Sequence, residues 1–442
     1  MWRWILTGGM LPPLLLLCSV FFTVYLKGYP FRSPGRMLTA LRGRKEGGVS
    51  SFRALTQALA GTLGVGNIVG VANAIAVGGA GAIFWMWVSA FAAMILKYAE
   101  ILLGVAHRRM GERGFFGGAV YYLRDCLRSR SHSVLAFLLP TIFALLTLTD
   151  ALSMGCMIQS NAVAMAIWEV APVPSWVVGI ALVCLTLPFL CRSGSEISAL
   201  TEWLVPLMTL GYTVLSAAVL FLRADALGEA FGSIFRDAFN TSSMAGGVLG
   251  FLTCRALRVG TMRGLLSNEA GCGTSPTAHA SAAARSASAQ GVWGILEVFV
   301  DTILLCTATA LVILVSPTGG NVMGNSMALT LNAFGAVLGD GAVCFLSLAV
   351  FCFGYATLLC WGGYGLEALR FLHVGKVGRA GFLLLFAGCT VWGCVGANAF
   401  VWDVADFTIA MMTAINLCAL FWERDRIRRE TLAWCRGESS SM

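Results

Sequence analysis

Gly61-Thr62-Leu63-Gly64-Val65-Gly66-Asn67-Ile68-Val69-Gly70 lies inside a strongly apolar segment, yet four of its ten residues are glycine and one is asparagine. Each glycine costs a helix about 1 kcal/mol relative to alanine, so the stretch predicts a helix that comes apart. At membrane depth the freed N–H and C=O groups are tolerated only where they are buried in protein or line a cavity. Secondary transporters build their sites this way, with half-helix N-termini facing an anion and unwound carbonyls facing a cation. The competing reading is a glycine-lined seam between two unbroken helices. A dinucleotide fingerprint is far weaker, because no strand precedes the stretch and its spacing is GxGxxxG.

The composition surrounding this stretch fixes the class. Of 442 residues, 58% are hydrophobic and only 12% charged, against roughly 25% charged in soluble domains. Mean hydropathy is +0.80. The chain reads as an all-α polytopic membrane protein, with room for about ten to twelve spans of ~20 residues. The net charge of +8 therefore bears on topology and not on nucleic acid, which is not an expected partner. The fifteen cysteines stand mostly alone in apolar runs, as at Cys184, Cys306, Cys344 and Cys418, with no metal-type spacing. The apolar run around 11–25 follows Arg3 without a small-residue cleavage site, and reads as a retained first span.

About eleven spans are expected, near 9–26, 52–77, 79–106, 134–168, 174–191, 198–222, 243–266, 290–316, 341–370, 380–400 and 401–422. Basic residues cluster after the first span (Lys27 to Arg53), after the third (Arg108 to Arg130) and after the last (Arg424 to Arg429). The segments 169–175 and 317–340 and the Gly78–Gly81 turn carry none. Since Lys and Arg mark the cytoplasmic side, the N-terminus is expected outside and the C-terminus in the cytoplasm. A glycine-rich span opens at 52, and another, with Gly246, Gly247 and Gly250, opens five spans later. This gives a five-plus-five inverted repeat with a discontinuous first helix in each half. The expected divisions are 1–50 as an N-terminal span with its loop, 51–222 and 223–422 as the repeats, and 423–442 as a cytoplasmic tail.

Longer motifs carry a family resemblance. Gly78-Gly79-Ala80-Gly81-Ala82-Ile83-Phe84-Trp85-Met86-Trp87 and Ser267-Asn268-Glu269-Ala270-Gly271-Cys272-Gly273, the latter followed by Pro276 and Ala278-His279-Ala280, resemble the sodium:alanine (alanine or glycine:cation) symporter family. Lys97-Tyr98-Ala99-Glu100, Tyr121-Tyr122-Leu123, Thr201-Glu202, Asp301-Thr302 and Val401-Trp402 fall in the same order. The resemblance implies the bacterial leucine-transporter fold with one extra span in front. Departures include Ala80 where the family usually has proline, and Ala356 where a hydroxyl usually precedes Thr357.

Candidate site residues follow from both readings. The N–H groups of Val65, Gly66 and Asn67 open the second half-helix and suit a carboxylate, and the resemblance places that contact at Val65 and Gly66. It also implies a sodium site from the carbonyls of Ala60 and Leu63 with the Thr357 hydroxyl, an all-oxygen set that suits a hard cation. Asn67 either binds ion or substrate or satisfies the broken backbone. Gln159 and Asn161 either face the substrate or glue helices together. Gly246 and Gly247 mark either the second break or a close helix contact. Trp361 walls a small apolar pocket in the family reading and packs a core in the other. Among the intramembrane acids Asp150, Glu202, Glu297 and Asp301, the last two share one helix face. They are expected near the cytoplasmic end in a structural role, with His279 as a hydrogen-bonding residue.

The expected function is sodium-coupled symport of alanine, glycine or a similarly small neutral amino acid across the cytoplasmic membrane, by a monomer in the bilayer. No organic cofactor is expected. Ala356 and the acidic pair leave proton coupling open as the alternative, and a non-transporting amino-acid sensor is a further one. An intramembrane enzyme is disfavoured, since the chain has no HExxH, no P-loop and no nucleophile beside an evident base. Alkaline phosphatase fused to the N-terminus is expected to be active; an inactive fusion whose C-terminal counterpart is active would invert the topology.

Overall fold

Long runs of apolar side chains interrupted by few charges form helices here, as main-chain satisfaction in hydrocarbon demands. The computed structural model describes residues 11–32, 34–41, 49–112, 114–130, 133–192, 194–239, 255–284, 286–317, 326–396 and 399–437. Among them, seven helices are long and apolar enough to cross a membrane: Gly81–Ala106, Ser133–Trp168, Glu196–Leu222, Ala287–Val315, Asp340–Phe371, Lys376–Val395 and Ala399–Trp422. An eighth span is the pair Ser51–Thr62 and Val65–Gly78, bent by 62°. The spans expected at 9–26 and 174–191 are the shorter apolar helices Leu11–Tyr25 and Ser175–Cys191. Of the span expected at 243–266, Arg255–Asn268 is described, while Gly246, Gly247 and Gly250 lie outside the described residues.

The stretch at 61–70 is not a rod. Ser50 caps the first half-helix, its Oγ accepting from the Arg53 N–H at 3.1 Å, and that helix ends at Thr62. A single 3-10 turn covers Val65–Asn67, and the chain resumes α-helix at Val69.

Gly81–Ala106 lies at the centre, its span window 83% buried, packed between Arg255–Asn268 and Ala287–Val298. Small residues permit this. A Cβ on Gly260 would stand 2.2 Å from the Ala82 carbonyl oxygen, and one on Gly264 would stand 2.8 Å from Ser89 Oγ. Two glycines four apart form one helix face and bring backbones together.

A buried ionic network ties these three helices together. Lys97 Nζ lies 3.1 Å from Glu297 Oε1 and 3.9 Å from Glu100 Oε1. It donates to the Asn268 carbonyl at 2.8 Å and to Ser275 Oγ at 2.5 Å. Ser275 in turn donates to Glu297 Oε1 at 2.8 Å, and His279 Nε2 stands 3.1 Å from Glu297 Oε2. Glu100 Oε2 accepts from the Gly273 N–H at 2.9 Å and from Asn416 Nδ2 at 2.8 Å. The loop Asn268–Ser275 is thereby fastened under the central helix. Glu297 is paired with Lys97, a partner the sequence did not suggest.

Two expected loops are helical. Within 223–240, Ala224–Ala238 buries Ala230, Ile234 and Ala238, a four-residue spacing, against Gly81–Ala106. Within 317–340, Ser326–Leu338 is a further apolar helix. The tail holds the helix Arg424–Arg436, docked through Thr431 to Tyr98 at 2.9 Å and Arg426 to His107 at 2.7 Å.

Replacing Lys97 by Met is expected to cost about 3–5 kcal/mol, because Glu297 keeps a buried charge without its partner. The double variant Lys97→Met/Glu297→Gln should recover part of that loss. Thermal unfolding of the purified protein measures both, and equal melting of the single and double variants would deny the pairing.

Candidate functional site

Gly64 is the point on which the predicted residues converge. A Cβ there would stand 2.7 Å from Gln159 Oε1 and 2.9 Å from Thr357 Oγ1. Its backbone, φ −94° and ψ −162°, is open to any residue, so glycine is required by proximity alone. Against it, the Val65 N–H donates to Gln159 Oε1 at 3.0 Å, and Gln159 Nε2 donates to the Met154 carbonyl at 3.2 Å. Thr357 Oγ1 lies 2.9 Å from the Ala60 carbonyl oxygen and 3.0 Å from that of Phe353. Val65, Gln159, Thr357 and Ala60 thus share one buried spot. Leu63, also buried, caps the half-helix that ends there. The nearest atom to a Cβ on Gly66 would be the Leu266 carbonyl oxygen, at 3.9 Å.

Asn67 reaches a second polar spot. Its Nδ2 donates to Asp301 Oδ1 at 2.9 Å and to the Asp301 carbonyl at 3.0 Å. Asp301 Oδ2 accepts from Ser267 Oγ at 2.6 Å and Thr302 Oγ1 at 2.8 Å. Among the described residues, these partners are all neutral, and Asn67 Oδ1 is buried without a hydrogen bond. This corrects the expected place of Asp301. It lies midway along the 29-residue helix Ala287–Val315, beside the break, and not near an end. The Asp301 carboxylate, held only by neutral donors, is the group here that could face a small cation.

Other candidates fall in place around these two spots. Trp361 is fully buried, with its Cβ 2.3 Å from where a Cβ on Gly155 would be. Gly155 belongs to a π-helical stretch, Ser153–Ile158, within the span Ser133–Trp168. Such stretches recur at functional sites. Asn161 Nδ2 donates to the Gly393 carbonyl at 3.1 Å, holding two spans together. Asp150 accepts from Thr408 at 3.0 Å. Glu202 lies apart, 3.5 Å from Arg53 at a partly exposed position. His279 is a hydrogen-bonding residue, with Gln290 Nε2 2.8 Å from its Nδ1.

A cavity of about 460 Å³ opens on Val65, lined also by Asn73, Asn161, Arg263, Trp402, Asp403 and Asp406. A second cavity, bounded in part by Thr147, Thr274 and Tyr364, measures about 20 Å³, room for about one water. The larger cavity runs from Val65 along Val69 and Asn73, on the half-helix that leads to Gly78. Sequence reasoning did not single out Gly64, Ser267 or Arg263 as site residues. A signal existed for Lys97 and Glu100, because the rule that marks intramembrane acids as functional marks any charge in an apolar span.

The model described as sodium:alanine symporter family matches residues 2–436. An uncharacterized transporter of Bacillus subtilis, YflA, is 33% identical over 92% of this chain and 88% of its own length. The sodium/alanine symporter AgcS of Methanococcus maripaludis is 34% identical, covering 88% of this chain and 85% of its own. The probable sodium/glutamine symporter GlnT of Bacillus subtilis is 32% identical, covering 94% and 86%.

Gly64→Ala is expected to cost about 1–3 kcal/mol through overpacking against Gln159 and Thr357, and to abolish ligand-dependent stabilisation. Thermal unfolding with and without small amino acids tests this; an unchanged ligand shift would show that the contact around Gly64 is slack.

Proposed function

This chain belongs to the sodium:alanine symporter family, and on that premise we propose that it carries a small neutral amino acid, alanine or glycine in the first place, together with sodium. Amino-acid transport across a membrane is the family's activity. The choice of cargo and ion is the proposal. One observation carries it: the helix break sets a backbone N–H at Val65, a carbonyl at Ala60 and the carboxylate of Asp301 on a single buried turn and its neighbours. A zwitterionic amino acid presents a carboxylate that accepts from such an N–H, and sodium takes the oxygens.

In this reading Val65 and Gly66 receive the substrate carboxylate, Gln159 lies alongside, and Trp361 closes the apolar wall. Two positions compete for the ion. Ala60, Leu63 and Thr357 offer uncharged oxygens, whereas Asp301 with Asn67 and Ser267 brings a full negative charge. We favour Asp301 as the counter-charge, since a nearby cation stabilises a buried carboxylate whose hydrogen-bond partners are all neutral. Gly246 and Gly247 would supply the matching break of the second repeat, 223–422 against 51–222. Relatives named for alanine and for glutamine stand at 34% and 32% identity, so overall similarity does not select the substrate.

Transport then proceeds by alternating access: ion and substrate load through the larger cavity, and rocking of one repeat against the other opens the opposite side. Each ligand tightens the other by the same factor. Proton coupling is the second reading, favoured by Ala356 beside Thr357.

Proteoliposomes test the proposal. Uptake of radiolabelled alanine is expected to collapse when choline replaces sodium at fixed pH, and survival of uptake would favour protons. Asp301→Asn should raise the sodium concentration for half-maximal uptake about tenfold or more, given the worth of a charged ligand. Thr357→Val should have the smaller effect; the reverse order would move the ion to Ala60 and Leu63.

A further inference from the structure

Among the residues around the break, Gln159 stands on both sides of a conflict. The Val65 N–H has left the helix and lies buried, where a donor without an acceptor is costly. Gln159 supplies that acceptor across 94 positions of sequence, with Oε1 at 3.0 Å. Its amide is oriented by the opposite group, since Nε2 donates to the Met154 carbonyl at 3.2 Å. That carbonyl belongs to the π-helical stretch Ser153–Ile158. The side chain is only 2% exposed and presses on Gly64. An amide oxygen is an sp² acceptor like one half of a carboxylate, and it sits on the donor assigned above to the substrate.

We propose that Gln159 is an intramolecular stand-in for the substrate carboxylate: its Oε1 holds the Val65 N–H until the carboxylate of an amino acid takes that donor, so Gln159 competes with the substrate and sets its affinity. The inference rests on the transport reading above. It differs from an ordinary binding contact in sign. A residue that touches the substrate weakens binding when removed, and a residue that stands in for it strengthens binding.

The stand-in also keeps the empty protein sound. Without it, the broken turn would carry an orphan donor whenever no amino acid is bound. With it, the empty and loaded states each satisfy the Val65 N–H, and only the partner changes. Release of Gln159 frees its amide to move along the π-helical stretch, away from Gly64.

Three forms of the full-length protein decide the matter: wild type, Gln159→Met and Gln159→Glu. Equilibrium binding uses radiolabelled alanine, glycine and glutamine in saturating sodium. Thermal unfolding is followed in sodium without amino acid. Gln159→Met, of similar length but without an acceptor, is expected to bind alanine about tenfold tighter, because the substrate then relieves an unsatisfied buried donor. Gln159→Glu places a fixed carboxylate on that donor. It is expected to lose alanine binding and to be stabilised by sodium at about tenfold lower concentration than wild type. Equal or weaker alanine binding by Gln159→Met overturns the proposal, and so does wild-type alanine binding by Gln159→Glu. If wild type binds and carries none of the three amino acids, the transport reading fails instead. In that case the sodium response of Gln159→Glu against Gln159→Met still decides whether a carboxylate at this spot recruits the cation; equal responses overturn the inference.

Discussion

A peptide group that leaves a helix inside hydrocarbon must find another partner, and this requirement shapes the molecule. From Leu63 to Ile68 the α-helical pattern stops, and three other spans contribute a side chain to the gap. The Ser133–Trp168 helix sends Gln159, the Asp340–Phe371 helix sends Thr357, and the Ala287–Val315 helix sends Asp301. The cost of an unsatisfied buried group, about 1–3 kcal/mol, is large against the ~5–15 kcal/mol that separates a folded domain from its unfolded chain. A break of this kind persists only when its surroundings are built for it.

The surroundings divide into a stiff part and an adaptable one. Gly81–Ala106 meets Arg255–Asn268 with no space for even a methyl group at Gly260. The Lys97 network then locks the following loop in place. Around the break the contacts are of another sort. They are hydrogen bonds of neutral side chains, with the main chain at Gln159 and Thr357 and with the Asp301 carboxylate at Asn67, replaceable by a ligand of the right chemistry. Binding sites on rigid scaffolds commonly combine these two behaviours.

Much of this was legible in the chain itself. Helix breaking is a local property, so four glycines and an asparagine disclose the discontinuity directly, and the apolar runs disclose the spans. Pairings were less accessible. Asn67 and Asp301 are 234 residues apart, and no local pattern ties an amide to an acid at that distance. Asp301 looked peripheral because the depth of a residue in a span depends on where the helix starts, and this one starts at Ala287. The role of Gly64 was hidden for a similar reason, since its neighbours come from two other helices. By contrast, Ala230, Ile234 and Ala238 recur every fourth residue and show an amphipathic helix, although the mixed charges of 223–240 make it resemble a loop.

The depth of the break has an electrical consequence. Ser51–Thr62 has 12 residues and Val69–Gly78 has 10, so at 1.5 Å per residue each half is about 15–18 Å long, and even with the 62° bend between them a symmetric tilt lets the two together come close to a ~30 Å hydrocarbon layer. A charge lodged at the junction sits near the middle of the membrane field. A full crossing is worth about 2.3 kcal/mol per elementary charge for every 100 mV, so arrival at and departure from the junction each draw on roughly half of it. Voltage therefore biases occupancy as well as turnover for any ion held beside Asn67.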